Sequence, residues 1–280
     1  MTPPSLPHIR PRKSLGQHFL RDDSVVRKIV AAIDPRPQDV LLEIGPGEGA
    51  LTRHLAGTVG SLTVVDVDPR VTAAMREMFP DGRVEVITGD FLQTDLPALA
   101  QARGTPLRVV GNIPYNITSP ILFHVLDNRH AVTDLTIMVQ KEVARRITGE
   151  PRSPDYGILS VFCGYFAETE LLFDVPANAF FPKPAVTSAL VRLRMRERGG
   201  AAPLARDEEF FRAMVRSVFG KRRKTLRNSL GYFAGERGFT IPGLPGLSRR
   251  PEELSISELV ELSNTLLGRI HDHDTGPLRA

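Results

Sequence analysis

Residues 39–49 read DVLLEIGPGEG. The run from Val40 to Ile44 is apolar at four of five positions and does not alternate, the pattern of a strand buried on both faces. The glycines that follow permit a tight turn and let backbone N–H groups approach a ligand closely. The same pattern returns in SLTVVDVD (61–68), RVEVITGD (83–90), PLRVVGNI (106–113) and LTIMVQ (135–140), each followed by a polar or helical segment. Four or five such strands alternating with helices predict an α/β fold with a doubly wound parallel sheet. Such sheets bind ligands at the carboxyl ends of their strands. Gly45, Asp66, Asp90 and Asn112 stand at those ends.

Upstream, DDSVVRKIVAAID (22–34) carries Val25, Val26, Ile29, Val30 and Ile33 on one helical face, with Asp22 or Asp23 as the cap. Downstream, RERGGAAPLARDEE (196–209) reads as a linker, and beyond it the strand signal stops. Phe211, Met214, Val215, Val218 and Phe219 recur at helical spacing. SISELVELSNTLL (255–267) opens with a capping box from Ser255 to Glu258, and HDHDTGPLRA (271–280) reads as a frayed tail. The expected organisation is a sheet domain over residues 1–198 and a smaller, all-helical domain over 199–280.

The 280 residues are 41% hydrophobic and 24% charged, enough for a real core. No run approaches the roughly 18–20 apolar residues of a membrane helix, and the N-terminus lacks a signal-peptide core. One cysteine, Cys163, excludes an internal disulfide and a multi-cysteine metal site. It lies in the apolar run ILSVFCGYF and reads as a buried structural thiol. These absences favour a cytoplasmic protein, and nothing suggests a dimer interface, so a monomer is expected.

Charge is unevenly placed. Residues 1–195 hold 21 basic and 21 acidic side chains, whereas residues 196–280 hold 15 against 11 and supply the whole net charge of +4. Over 210–250 the balance is ten basic residues against Glu236 alone. Lys221, Arg222, Arg223, Lys224 and Arg227 cluster near the end of an amphipathic helix. A localised basic surface points to a polyanionic partner, the alternative being a solvated helix end.

The glycine turn narrows the ligand. Asp66 lies 21 residues after Gly45, where an acidic side chain can take both ribose hydroxyls of a nucleotide. The dinucleotide fingerprint is GxGxxG, facing a pyrophosphate. Here the spacing from Gly45 through Gly47 to Gly49 is GxGxG, with Glu43 two residues upstream. A carboxylate there suits a ligand with an amino group and a sulfonium charge, and Asp90 suits an adenine amine. S-adenosyl-L-methionine fits best, a nicotinamide cofactor second.

The fourth strand ends in GNIPYNITSP (111–120), which has an amide, a proline and a phenol but no acid or base. Methylation of an exocyclic amine asks for that set. The amine lone pair is delocalised into the ring, and accepting hydrogen bonds from both N–H groups frees it. Asn112 Oδ1 and the backbone carbonyl of Ile113 or Pro114 can do so, Pro114 stiffening the backbone. Tyr115 offers a stacking face. Orientation and electrostatics then carry the reaction without a strong base. In AFFPKPAVTSALVRL (179–193), Phe181 is the favoured second aromatic wall for the base, the alternative being that Phe180 and Phe181 both pack.

SLGQHFL, LEIGPGEGALT, GNIPYNITSPILFHVL, VQKEVARRI, FFPKPAVTSALVRL and RRKTLRNSL, in this order, resemble the ribosomal RNA adenine N6,N6-dimethyltransferase family of small-subunit rRNA, over about residues 12–265. The resemblance implies a Rossmann-like, class I S-adenosylmethionine-dependent methyltransferase. It implies methyl transfer to two adjacent adenosines in the 3′-terminal hairpin of 16S rRNA, in the small ribosomal subunit or its precursor. It further implies that His18 and Leu20 join Gly45, Gly47, Asp66 and Asp90 around the cofactor, with Asn112 between cofactor and target amine. Family members commonly carry Asn where His18 stands and Glu where Asp66 stands. The related macrolide-resistance methyltransferases of large-subunit rRNA share the NIPY-like motif, and other relatives are non-catalytic nucleic-acid-binding factors. The longer 112–126 agreement and RRKTLRNSL favour the small-subunit branch.

Overall fold

The computed structural model describes residues 8–196, 203–221, 224–241 and 243–274. Packing divides the chain into two compact units, Met1–Ala144 with Phe166–Arg196, and Arg145–Tyr165 with Glu197–Ala280.

In the first unit, β1 (Phe19–Leu20) precedes α1 (Asp23–Ile33), β2 (Val40–Ile44), α2 (Thr52–Leu55) and β3 (Ser61–Asp66). Next come α3 (Pro69–Met78), β4 (Val84–Thr88), α4 (Leu96–Arg103), β5 (Leu107–Asn112), α5 (Thr118–Asp127) and β6 (Val132–Gln140). The chain continues through α6 (Lys141–Ile147) and α7 (Ile158–Phe166) to β7 (Ala167–Val175), β8 (Phe180–Phe181) and β9 (Ser188–Met195). Asp22 caps α1 by accepting from the N–H groups of Ser24 and Val25, and Val26, Ile29 and Ile33 bury its apolar face.

Seven strands form one sheet in the order β4-β3-β2-β5-β6-β9-β7. The five expected strands, β2 to β6, pair in parallel. The sheet also contains β9 and β7, which pair antiparallel beyond β6 and which the sequence reading did not anticipate. Strand order reverses between β2 and β5, so the glycine turn after β2 and the GNIPY segment ending β5 flank the switch point, where doubly wound sheets open a crevice. Gly111 makes that approach possible. It pairs with Ile44, and a Cβ on it would stand 2.5 Å from the Ile44 carbonyl oxygen.

The second unit has no strand among its described residues. It comprises α8 (Glu208–Phe219), α9 (Leu226–Arg237), α10 (Ile256–Asp274) and most of α7. The division therefore departs from the expected boundary, because residues 145–165 pack with the C-terminal helices. The cause is apolar: Phe162 and Cys163 of α7 are fully buried, and Phe162 and Tyr165 lie 6.5 and 4.8 Å, centroid to centroid, from Phe211. Burial pushes the Cys163 thiol up to about 12, which keeps it protonated and inert. Phe211, Met214, Val215, Val218 and Phe219 are all buried. Ser255 and Glu258 form the capping box at the start of α10. No helix among the described residues is long and apolar enough to cross a membrane.

Gly111→Ala forces backbone apart at the centre of the sheet and is expected to cost about 1–3 kcal/mol. A urea midpoint equal to the parent's would contradict this close approach.

Candidate active site

The carboxyl ends of β2, β3, β4 and β5 and the arm around β1 enclose a cavity of about 270 Å³. Nine sequence-predicted residues line it: His18, Leu20, Gly45, Gly47, Asp66, Asp90, Asn112, Pro114 and Tyr115. Gly45 and Gly47 both adopt left-handed backbone conformations, with φ of 64° and 56°. Gly47 has a second reason to be glycine, since a Cβ there would stand 2.8 Å from the Phe19 ring.

Asp66 ends β3, and its Oδ1 accepts from the Asp68 N–H at 2.8 Å. Burial is the main cause that pushes its carboxyl up to about 6. Asp68 behaves oppositely. Hydrogen bonds from Arg70 hold it down at about 2, and Gln17 Nε2 also donates to it at 3.1 Å. Asp90 caps a short helical turn, its Oδ1 accepting from the Leu92 N–H at 2.9 Å. Val67 is 50% exposed and, with Phe91 and Leu92, gives the cavity an apolar lining beside the polar one of the two aspartates.

At the end of β5 the Asn112 Nδ2 donates to the His18 carbonyl oxygen at 2.8 Å. No hydrogen bond engages its Oδ1 among the described residues. The Tyr115 hydroxyl and Ser188 Oγ share a hydrogen bond of 2.6 Å, and burial raises the phenol above its ordinary pKa, so it stays neutral. The His18 ring stacks near Tyr115 with centroids 5.9 Å apart, and its Nδ1–H donates to the Pro182 carbonyl oxygen at 2.7 Å. The histidine thus touches the GNIPY turn with both its backbone and its ring.

Sequence reasoning assigned the Glu43 charge to the ligand's amino group. In the structure Glu43 is 2% exposed and its Oε2 accepts from Thr52 Oγ1 at 2.8 Å. Burial, reinforced by the nearby Asp66 charge, pushes it up to about 7. It borders the cavity with its ionisation opposed by burial, a structural partner of α2.

Phe181 stands apart from the nine. It is 47% exposed and does not line the cavity. In the two-stranded ribbon of β1 and β8, Phe180 turns into the core and alternation turns Phe181 outward. Of the basic cluster, Lys221, Lys224 and Arg227 are exposed in the second unit, and Arg222 and Arg223 lie outside the described residues. The Lys221 ammonium sits 5.0 Å from the centroid of Tyr232, an exposed aromatic the sequence reading had not singled out.

The reading also missed Gln17 and Glu48. Glu48 is buried, accepts from Ile9 N–H at 3.2 Å and is gripped by Arg21 through two hydrogen bonds of 2.9 and 2.7 Å. With Gln17 on Asp68, these bonds tie the N-terminal arm down beside the cavity.

The sheet, its glycine turn and the acid ending the next strand define a class I methyltransferase. A family model described as ribosomal RNA adenine dimethylase matches residues 9–242. The chain belongs to that family. It is 45% identical over 257 residues to the ribosomal RNA small subunit methyltransferase A of Xanthomonas campestris pv. campestris (strain B100), covering 91% of this chain and 96% of that one. Among solved structures, it is similar to the 23S rRNA methyltransferase ErmE, with 31% identity, TM-score 0.63 and coverage of 87% and 99%. A dimethyladenosine transferase from Plasmodium falciparum shares the fold, with TM-score 0.73 and 22% identity over 91% and 98% of the two chains.

The pKa shifts of Glu43 and Asp66 set a sign for stability. Both are raised, so between about pH 4 and 7 the folded protein binds more protons than the unfolded chain. Their contribution is fully present below the unfolded values and is lost as pH rises through about 6 and 7. Glu43→Gln removes the larger part, so its melting temperature should fall less steeply than the parent's between pH 5 and pH 8. Parallel profiles would show that Glu43 ionises at no cost.

Proposed function

We propose that the chain transfers methyl groups from S-adenosyl-L-methionine to the N6 amines of two adjacent adenosines in the 3′-terminal hairpin of 16S rRNA. The substrate is the small ribosomal subunit or its precursor, in the cytoplasm, and the products are N6,N6-dimethyladenosines. The observation that carries this reading is the orientation of Asn112. With its nitrogen held by the His18 carbonyl, the amide presents its oxygen as the free acceptor, beside Tyr115 and in the same cavity as Asp66 and Asp90.

The residues fit the cofactor. Asp66 takes the ribose hydroxyls, Asp90 the adenine amine, and the left-handed turn at Gly45 and Gly47 brings backbone close to the amino-acid end. His18 and Leu20 close the cavity from the arm. When bound, the cofactor supplies an electrophilic methyl carbon on a sulfonium.

Every remaining task falls to the chain. Asn112 Oδ1 accepts one N6–H, and the backbone carbonyl of Ile113 or Pro114 accepts the other. That pair turns the nitrogen toward tetrahedral geometry and frees its lone pair. Tyr115, one side of which is taken by His18, offers its other face to the adenine, and its bond to Ser188 fixes the ring. The target must leave its stack to enter, which costs a few kcal/mol that stacking on Tyr115 offsets. Transfer breaks the sulfonium–methyl bond, leaves a neutral thioether and puts the positive charge on N6, which then sheds a proton to water. The resulting monomethylated amine keeps one hydrogen, so rotation about its C–N bond allows a second transfer in the same site. In the second unit, Lys221, Lys224 and Arg227, with Arg222 and Arg223, neutralise phosphates without reading sequence.

The names of the small-subunit relatives support the 16S assignment. Likeness to ErmE supports a second reading, methylation of large-subunit rRNA. Incubation with labelled S-adenosylmethionine and undermethylated small subunits, followed by mapping of the label, separates them. Label on adjacent adenosines near the 3′ end supports the first reading. Label only on large-subunit RNA supports the second, and no label from an intact protein favours a binding factor.

Asn112→Ala should leave cofactor affinity within a few-fold by calorimetry while methyl incorporation falls by at least about 100-fold. Near-normal turnover would remove the amide from the mechanism. Lys224→Glu with Arg227→Glu should weaken subunit binding and reduce its salt slope by roughly 1 per residue, with unchanged cofactor affinity. An unchanged slope would move the RNA footprint elsewhere.

A further inference from the structure

Phe181 is an anomaly of the first unit. Among the described residues it is the only exposed phenylalanine, 47% accessible, on a ribbon whose other residues are buried. Nor is the ring loose. The Arg21 guanidinium lies 4.4 Å from its centroid, and that guanidinium is itself held by the two hydrogen bonds it donates to Glu48. Glu48 is 3% exposed and also accepts the Ile9 N–H, so a buried carboxylate fixes the cation over the ring.

We propose that Phe181 and Arg21 form an outer stacking platform for the base of the nucleotide next to the target adenine, an unpaired purine of the same RNA strand. The proposal rests on the reading of this chain as an rRNA adenine methyltransferase and deepens it.

Position supports the assignment. Phe181 pairs directly with Phe19, a residue of the cavity wall, and the carbonyl of Pro182 accepts from His18 of the same wall. Side chains directly opposite in an antiparallel pair have Cβ atoms about 5 Å apart. The platform therefore adjoins the cavity at short range. Chemistry supports it too. Unstacked RNA bases are held on aromatic rings and on guanidinium planes, and a phenyl ring accepts any base because it reads no hydrogen-bond edge. The Arg21 charge is compensated by Glu48, which leaves a flat, weakly hydrated surface suited to a base. Lys183, two residues on, is exposed and supplies a cation for the phosphate linking the two nucleotides.

The need arises from the substrate. With two adjacent adenosines as targets, one must enter the cavity while the other loses its stacking partner. A platform beside the entrance gives the displaced base a new partner and holds the pair in register, so that the two exchange places between rounds.

The test uses full-length protein with undermethylated small subunits and compares Phe181→Ala, Phe181→Leu, Phe181→Trp and Arg21→Lys. Steady-state kcat/KM on subunits, cofactor affinity and the extent of methylation at each adenosine are measured. Phe181→Ala should lower kcat/KM about 10-fold or more, with unchanged cofactor affinity and more product carrying methyl groups on only one of the two adenosines. Phe181→Trp should restore it and Phe181→Leu should not. Arg21→Lys, which keeps the charge and loses the plane, should fall between. Parent-like kinetics for Phe181→Ala, or equal rescue by Leu and Trp, would overturn the platform, the latter by assigning Phe181 to packing. Failure of the parent protein itself to methylate small subunits overturns the functional reading, and the proposal with it.

Discussion

The hydrogen bond from Asn112 Nδ2 to the carbonyl oxygen of His18, 2.8 Å long, joins residues 94 positions apart. An amide free to rotate presents a donor as readily as an acceptor. Held by its nitrogen, it presents only oxygen, which a reaction at an amine requires. The arm that supplies the carbonyl must therefore be held as firmly as the sheet that supplies the asparagine.

The structure meets that demand with buried charge and tight packing around the arm. Arg21 grips Glu48, Gln17 reaches Asp68, and Phe19 fills the space that Gly47 leaves by lacking a side chain. Ile9 and Phe19 pack with Val71 of α3. The imidazole of His18 adds two further ties, to Pro182 and to the Tyr115 ring. The departure at position 18 thus carries structural work through its side chain, while the Asn112 amide is oriented through its backbone. In the same region burial raises the pKa of both the Tyr115 phenol and the Glu43 carboxyl.

Much of this was legible in the sequence, and the failures share a cause. Parallel strands buried on both faces announce themselves as continuous apolar runs, so β2 to β6 and the residues at their ends could be read directly. β7, AETELLFDV, and β9, SALVRLRM, mix charge with apolar residues as strands near a sheet edge do, and they gave no such signal. The α7 run ILSVFCGYF is apolar nearly all round, so its pattern names no partner, and only contact with Phe211 reveals which unit it joins. Phe180 and Phe181 are chemically identical neighbours, and the pairing of β8 with β1 decides which one faces the core. Long-range ties such as Gln17 to Asp68 or His18 to Pro182 have no local signature. The residues that line the cavity were written locally, but their support was not.

The most direct measurement is a structure of the protein with a non-reactive cofactor analogue and an RNA bearing the target adenine. The account predicts Asn112 Oδ1 within hydrogen-bond distance of the N6 amine while Nδ2 stays on the His18 carbonyl. An adenine bound with its amine away from that oxygen, or an amide turned to donate to the base, would contradict it.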